Sequence, residues 1–162
     1  MSYLIFTDQA SWMRYCEQHP GAETAALYRR LVDEEIAELR EAYDAHMRAG
    51  DISTLTEVAD ACIDSIYVIV GLMHALDLDP QSLWDEVHRS NIAKIRHPCT
   101  SCGATGVIAM DGEEAPCPTC KGQGHVYEVR RRDDGKVLKP DGWQPPSLYP
   151  LVEAQTSTGN AR

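Results

Sequence analysis

The chain is short of positive charge: 15 Lys and Arg stand against 25 Asp and Glu, a net charge of −10. A nonspecific nucleic-acid binder needs a basic face, so that class is set aside and nucleic acid is not an expected partner. A long uncharged apolar run is also missing. The most apolar stretch, residues 61–73, is too short to span a bilayer and contains Asp64. The opening MSYLIFTDQA lacks a basic segment followed by an apolar one, so no signal peptide is read and a cytoplasmic protein is expected. No internal repeat occurs among the helical stretches. The 162 residues suffice for one ordinary domain with a real core and a small appendage.

What charge there is, is uneven. Residues 1–98 hold 17 acids and 8 bases, residues 99–162 hold 8 and 7. The acids therefore gather in a region that otherwise reads as helices, as carboxylates around cations would. Residues 6–20 show weak helical periodicity. Residues 23–49 contain no Gly or Pro, and Tyr28, Val32, Ile36, Leu39 and Tyr43 form one apolar stripe. Gly50 stops that helix. A second helix starts near Asp51 or Ser53, with Thr54 and Glu57 read as a capping box, and runs through Leu76. It is apolar nearly all round after Asp60, as a buried or interfacial helix would be. Pro80 opens a third helix, about 81–94. Lys139 to Pro150 has no helical pattern, and the last dozen residues read as a loose tail.

Two acidic clusters stand out: Glu34-Glu35-Ile36-Ala37-Glu38, and Glu57-Val58-Ala59-Asp60 with Asp64 beyond it. Spacings of three and four place each set on one helix face. If the two helices pack antiparallel, Glu35, Glu38, Glu57 and Asp60 converge and repel unless cations lie between them. Hard oxygen ligands suit Mg²⁺ or Mn²⁺. The alternatives are a solvated face, which suits Glu41 and Asp44, or salt bridges from Arg29, Arg30 and Arg40. Asp64, alone among apolar neighbours, is expected to be largely buried.

The segment RLVDEEIAEL at 30–39, the E-x-x-D of Glu57–Asp60 continuing to Ile69, DEVHRSNIAK at 85–94, and GKVLKP at 135–140 with Trp143 resemble the all-α nucleotide pyrophosphatases. This is the group of MazG-type enzymes, dimeric dUTPases and phosphoribosyl-ATP pyrophosphohydrolases. The resemblance implies cleavage of a nucleoside triphosphate (NTP or dNTP) between the α and β phosphorus, giving a monophosphate and pyrophosphate. It implies Mg²⁺ (or Mn²⁺) on Glu35, Glu38, Glu57 and Asp60, with Glu34 or Glu38 taking the proton of the attacking water. Asn91, Lys94, Lys139 and Trp143 become substrate contacts; from the residues alone, Lys94 equally answers a helix dipole and Trp143 a buried tail. A homodimer or homotetramer is implied. The competing reading is a catalytically inactive helical scaffold that serves as a zinc-knuckle binding or regulatory protein.

Cys99-x-x-Cys102 and Cys117-x-x-Cys120, each followed by glycines, make a closed four-thiolate Zn²⁺ site of structural type. The unit resembles one zinc unit of the DnaJ cysteine-rich region, the glycines letting backbone N–H groups face sulfur. It stands where typical MazG-like chains have a short connection. The expected fold is therefore all-α: an antiparallel helical bundle completed by oligomerisation, with a small inserted four-cysteine zinc module and an irregular C-terminal arm. The expected division is a core at 1–97, the zinc insertion at 98–125, and an arm at 126–162 returning to the core.

Overall fold

The computed structural model describes residues 4–110 and 112–159, the side chains of 157–159 excepted. Four helices come first: α1 (Leu4–Tyr15), α2 (Ala22–Ala49), α3 (Ile52–Ala75) and α4 (Pro80–Ile92). Four short strands follow, β1 (Arg96–Pro98), β2 (Val107–Met110), β3 (Glu113–Pro116) and β4 (His125–Tyr127), and then α5 (Tyr149–Gly159). The chain forms two compact units, residues 1–84 with 148–162, and residues 85–147. The division thus falls inside α4, whereas the sequence suggested a core reaching residue 97.

In the first unit α2 and α3 form an antiparallel hairpin. Its pairings run in opposite directions along the two helices. The Tyr28 ring lies against Gly71, the Ser65 hydroxyl donates to the Glu35 carbonyl at 3.4 Å, and His46 Nδ1 lies 3.1 Å from Thr54 Oγ1 at the turn. Gly50 supplies the turn, with φ of 68° and its N–H donating to His46 O at 2.7 Å. α1 adds Met13 to a core that also holds Tyr28, Val68 and Ala75. Full burial of side chains such as these contributes roughly 1.5–3 kcal/mol each. The Tyr28 hydroxyl accepts from Gln9 Nε2 at 3.2 Å and donates to Gln18 Oε1 at 2.8 Å, which satisfies it inside the core.

Three local expectations change. The cap of α3 is Asp51, whose carboxylate accepts the Thr54 N–H at 2.9 Å. Thr54 is therefore the third helical residue, and Glu57, a turn further on, is not part of a capping box. Asp64 is exposed rather than buried, because the apolar residues around it do not all face this chain's core: Ile63, Ile66 and Ile69 are 62%, 43% and 41% exposed. The last residues are not a loose tail as far as 159, since α5 occupies them; residues 160–162 lie outside the described chain. Gln155 anchors that helix, accepting the Asp79 N–H at 3.0 Å and donating to Ser82 Oγ at 2.9 Å. α3, at 24 residues, also exceeds the apolar run seen in the sequence and is long and apolar enough, by length and composition, to cross a membrane.

The second unit holds two antiparallel strand pairs, β1 with β4 and β2 with β3. Beyond β4 the chain turns at Asp133–Gly135, closed by a bridge between Arg131 and Val137. Arg130 pairs with Glu128 and Arg132 with Asp134, so the triple arginine is largely neutralised and solvated.

Candidate functional site

The helical hairpin creates an acidic groove of about 340 Å³. Glu38, Glu41, Ala42 and Ala45 of α2 form one wall; Glu57, Asp60, Ala61 and Asp64 of α3 form the other, with Thr54 at the end. Small residues at 42, 45 and 61 keep the groove open between the carboxylates. Glu35 sits half-buried a turn away. Its pKa is raised above the ordinary 4.5, first by desolvation and then by the negative charges of Glu38, Asp64, Glu34 and Asp60. Carboxylates of both helices thus lie within electrostatic reach of one another, as antiparallel packing requires.

No arginine neutralises them. Arg29 pairs with Asp33 on the solvent side, and among the described residues no ion pair reaches Glu35, Glu38, Glu57 or Asp60. The salt-bridge alternative therefore fails for these four. Glu41, expected on a solvated face, and Asp64, expected to be buried, also line the groove. The i, i+4 step from Asp60 to Asp64 and the i, i+3 step from Glu38 to Glu41 carried the signal. A full cage is not drawn tight: among the described residues, only the four cysteines form a metal-type group with ligand atoms within 4.8 Å of one another.

The second unit gathers the other residues singled out in the sequence. The Trp143 indole N–H donates to Ser90 O at 2.8 Å. The ammonium groups of Lys94 and Lys139 lie 5.2 and 4.2 Å from the indole centroid. Lys94 also donates to Asn91 Oδ1 at 2.6 Å. Asn91 lies in the last turn of α4, but Lys94 does not lie on the helix as expected; it sits in the following turn, its N–H bonded to Asn91 O at 3.1 Å. Leaving the helix is what frees Lys94 to reach the indole. Two cations on one aromatic ring, beside a carboxamide, make a ready anion- and ring-binding surface.

Residues 13–91 match the family model of phosphoribosyl-ATP pyrophosphohydrolase. These helices are similar to that family of all-α pyrophosphohydrolases. Comparison with curated proteins returned no match. The pyrophosphohydrolase region covers α2, α3 and nearly all of α4, and so contains the whole acidic groove. The family hydrolyses phosphoric anhydrides of nucleotide substrates, which suits a chain that gathers carboxylates in one groove.

Beyond the matched residues, the chain carries the cysteine unit. All six cysteines are free of disulfides. Cys99, Cys102, Cys117 and Cys120 form a group able to hold a metal ion. Cys99 and Cys117 Sγ are 3.9 Å apart, Cys102 and Cys120 Sγ 3.7 Å. A zinc tetrahedron with Zn–S of about 2.3 Å has an S···S edge of about 3.8 Å, so the donor set fits zinc. Gly106 N–H donates to Cys102 Sγ and Gly124 N–H to Cys120 Sγ, each at 3.3 Å, in the manner the glycines suggested. Both glycines have positive φ, and a Cβ on either would lie within 2.4 Å of the opposite knuckle's backbone oxygen.

Proposed function

We propose that the protein hydrolyses a nucleoside triphosphate, NTP or dNTP, at the α–β bond to a monophosphate and pyrophosphate, and so controls or cleanses a nucleotide pool. The observation that carries the reading is the unneutralised carboxylate groove at the centre of the family-matched helices. Glu35, Glu38, Glu57 and Asp60 would hold Mg²⁺, with Asp64 beside them. Bound there, Mg²⁺ supplies charge neutralisation for the polyphosphate and activation of water. Glu38 lines the groove and Glu34 does not, which favours Glu38 as the group that takes the water's proton. Lys94 and Lys139 would neutralise phosphate, Asn91 would hydrogen-bond, and Trp143 would offer a stacking face. The four cysteines would hold a structural Zn²⁺, and six free thiols suit a reducing, cytoplasmic setting.

A homodimer or homotetramer is part of the reading. Ile52, Leu55, Ala59, Cys62, Ile66, Ile69, Met73 and Leu76 alternate in steps of three and four along α3. None is fully buried, and Ile52 is 78% exposed. Such an a/d seam on an otherwise packed helix seeks a second helix of the same kind.

The matched model's own description favours a second substrate, phosphoribosyl-ATP, for the same anhydride chemistry. The test is pyrophosphate release from a panel of NTPs, dNTPs and phosphoribosyl-ATP with Mg²⁺, beside Glu38→Ala. Release abolished by the substitution names the substrate. No turnover of any nucleotide would overturn the catalytic reading and leave a zinc-bearing regulatory scaffold.

A further inference from the structure

We propose that the four cysteines, through the metal they hold, are positioning residues for the Lys94–Trp143–Lys139 cluster, so that zinc loading decides whether that surface is assembled. The catalytic consequence rests on the function proposed above; the structural claim does not.

The cluster joins two chain segments far apart in sequence. Lys94 follows α4, and Lys139 and Trp143 lie in the arm beyond the whole cysteine unit. The arm reaches the α4 segment through hydrogen bonds at Ser90 and Glu86: the indole bond to Ser90 O, Ser90 Oγ donating to Gln144 O at 3.2 Å, and the Ser147 N–H donating to Glu86 at 2.6 Å. The path between them closes at a neck, where β1 pairs with β4 over three residues each and the Glu128 N–H donates to Ile95 O at 2.8 Å. Strand pairs that short do not persist alone.

The thiols hold the neck shut from above. Cys99 directly follows β1, and its N–H donates to Gly124 O at 3.0 Å, one residue before β4. Among the described residues, the unit's interior is Cys99, Cys117 and Cys120, with the hydrophobic residues Ile108, Val126 and Cys102 packed against them. That is too little apolar surface to order the segment without a metal. Loss of zinc therefore opens the neck. The ends of a loop of more than forty residues must then find each other by chance, and the local concentration of the arm at α4 falls.

The experiment labels the protein with 5-fluorotryptophan and follows its ¹⁹F resonances, with Trp143→Phe identifying the one from the cluster. Zinc is removed by a chelator, checked by metal analysis, and then restored. The expected result is that the Trp143 resonance moves to a solvent-exposed position and returns with zinc, while those of Trp12 and Trp84 hold. A Trp143 resonance unmoved in zinc-free protein would overturn the proposal. So would collapse of all three, which would make zinc a requirement for the entire fold. In the hydrolysis assay the zinc-free protein should show KM raised roughly tenfold or more, with kcat changed less. Equal KM with and without zinc would also refute the positioning role. A zinc-dependent Trp143 signal in a protein without turnover would keep this proposal and remove the pyrophosphohydrolase mechanism.

Discussion

Replacing Glu38 by Gln should produce opposite effects with and without divalent metal. Glu38 and Glu35 are three residues apart on α2, and the repulsion between them contributes to the raised pKa of Glu35. Like charges at this helical spacing cost about 0.2–0.5 kcal/mol. In metal-free protein, Glu38→Gln should therefore be as stable as the parent or more so, by about 1 °C in Tm. Metal reverses the order. A cation present at about 100 times its Kd stabilises the folded state by about 2.7 kcal/mol, which for a chain of this size is roughly 5–10 °C. The parent should gain that shift on adding Mg²⁺, and Glu38→Gln should lose most of it. The pH dependence follows from the same neighbourhood. A raised folded pKa means that Glu35 favours the folded state below its ordinary value and loses that contribution as pH rises through the raised one. Metal-free stability therefore declines through that window while metal affinity grows, so the Mg²⁺ shift should be larger at pH 8 than at pH 5. Differential scanning fluorimetry with and without Mg²⁺ at both pH values measures all four quantities. A parent protein indifferent to Mg²⁺, or a Glu38→Gln variant that responds equally, would refute the metal-groove reasoning.

Gly71→Ala should destabilise the hairpin. Its Cβ would lie 2.1 Å from Tyr28 Cε1 and 2.5 Å from Gln9 Nε2, against a ring held in the core. Overpacking costs about 1–3 kcal/mol, more than the helix propensity gained, so a Tm lower by several degrees is expected; an unchanged or higher Tm would contradict the packing. Glu86 is held down to about 2 by its two-pronged bond to Arg89 and the N–H of Ser147. That contribution is complete above the ordinary value of 4.5 and lost as pH falls toward 2. The protection factor of the Ser147 amide, the exchange rate of an unstructured amide at the same pH divided by its own, should fall across that range, and Glu86→Gln should remove the acid dependence.

The parts of the fold legible in sequence are those with dense local signals. The 28 residues of α2 hold no Gly or Pro and end at Gly50, so both its existence and its end can be read. The cysteine knuckles are legible because metal geometry fixes their spacing and the glycines that serve the sulfurs. α5 escapes a sequence reading because its anchoring glutamine, Gln155, bonds to residues more than seventy positions away, although Pro150 in its first turn is a usable sign. Asp64 misleads because an apolar run suggests burial within one chain, whereas part of α3 faces away from its own core. The helix ends two residues before Lys94, which meets a tryptophan 49 residues further on, a contact that no local pattern encodes.

The neck of the cysteine unit bears on the ancestry of such a chain. Its incoming and outgoing strands run side by side, with Arg96 opposite Tyr127, and Ile95 and Glu128 already joined by a hydrogen bond. A segment whose two ends meet can be spliced into a connection, or lost from it, without redirecting what precedes or follows. The cysteine knuckle is in that sense a cassette. Its interlocked glycines and cysteines lie between two ends that already meet, so a helical core can take up the whole unit in a single insertion.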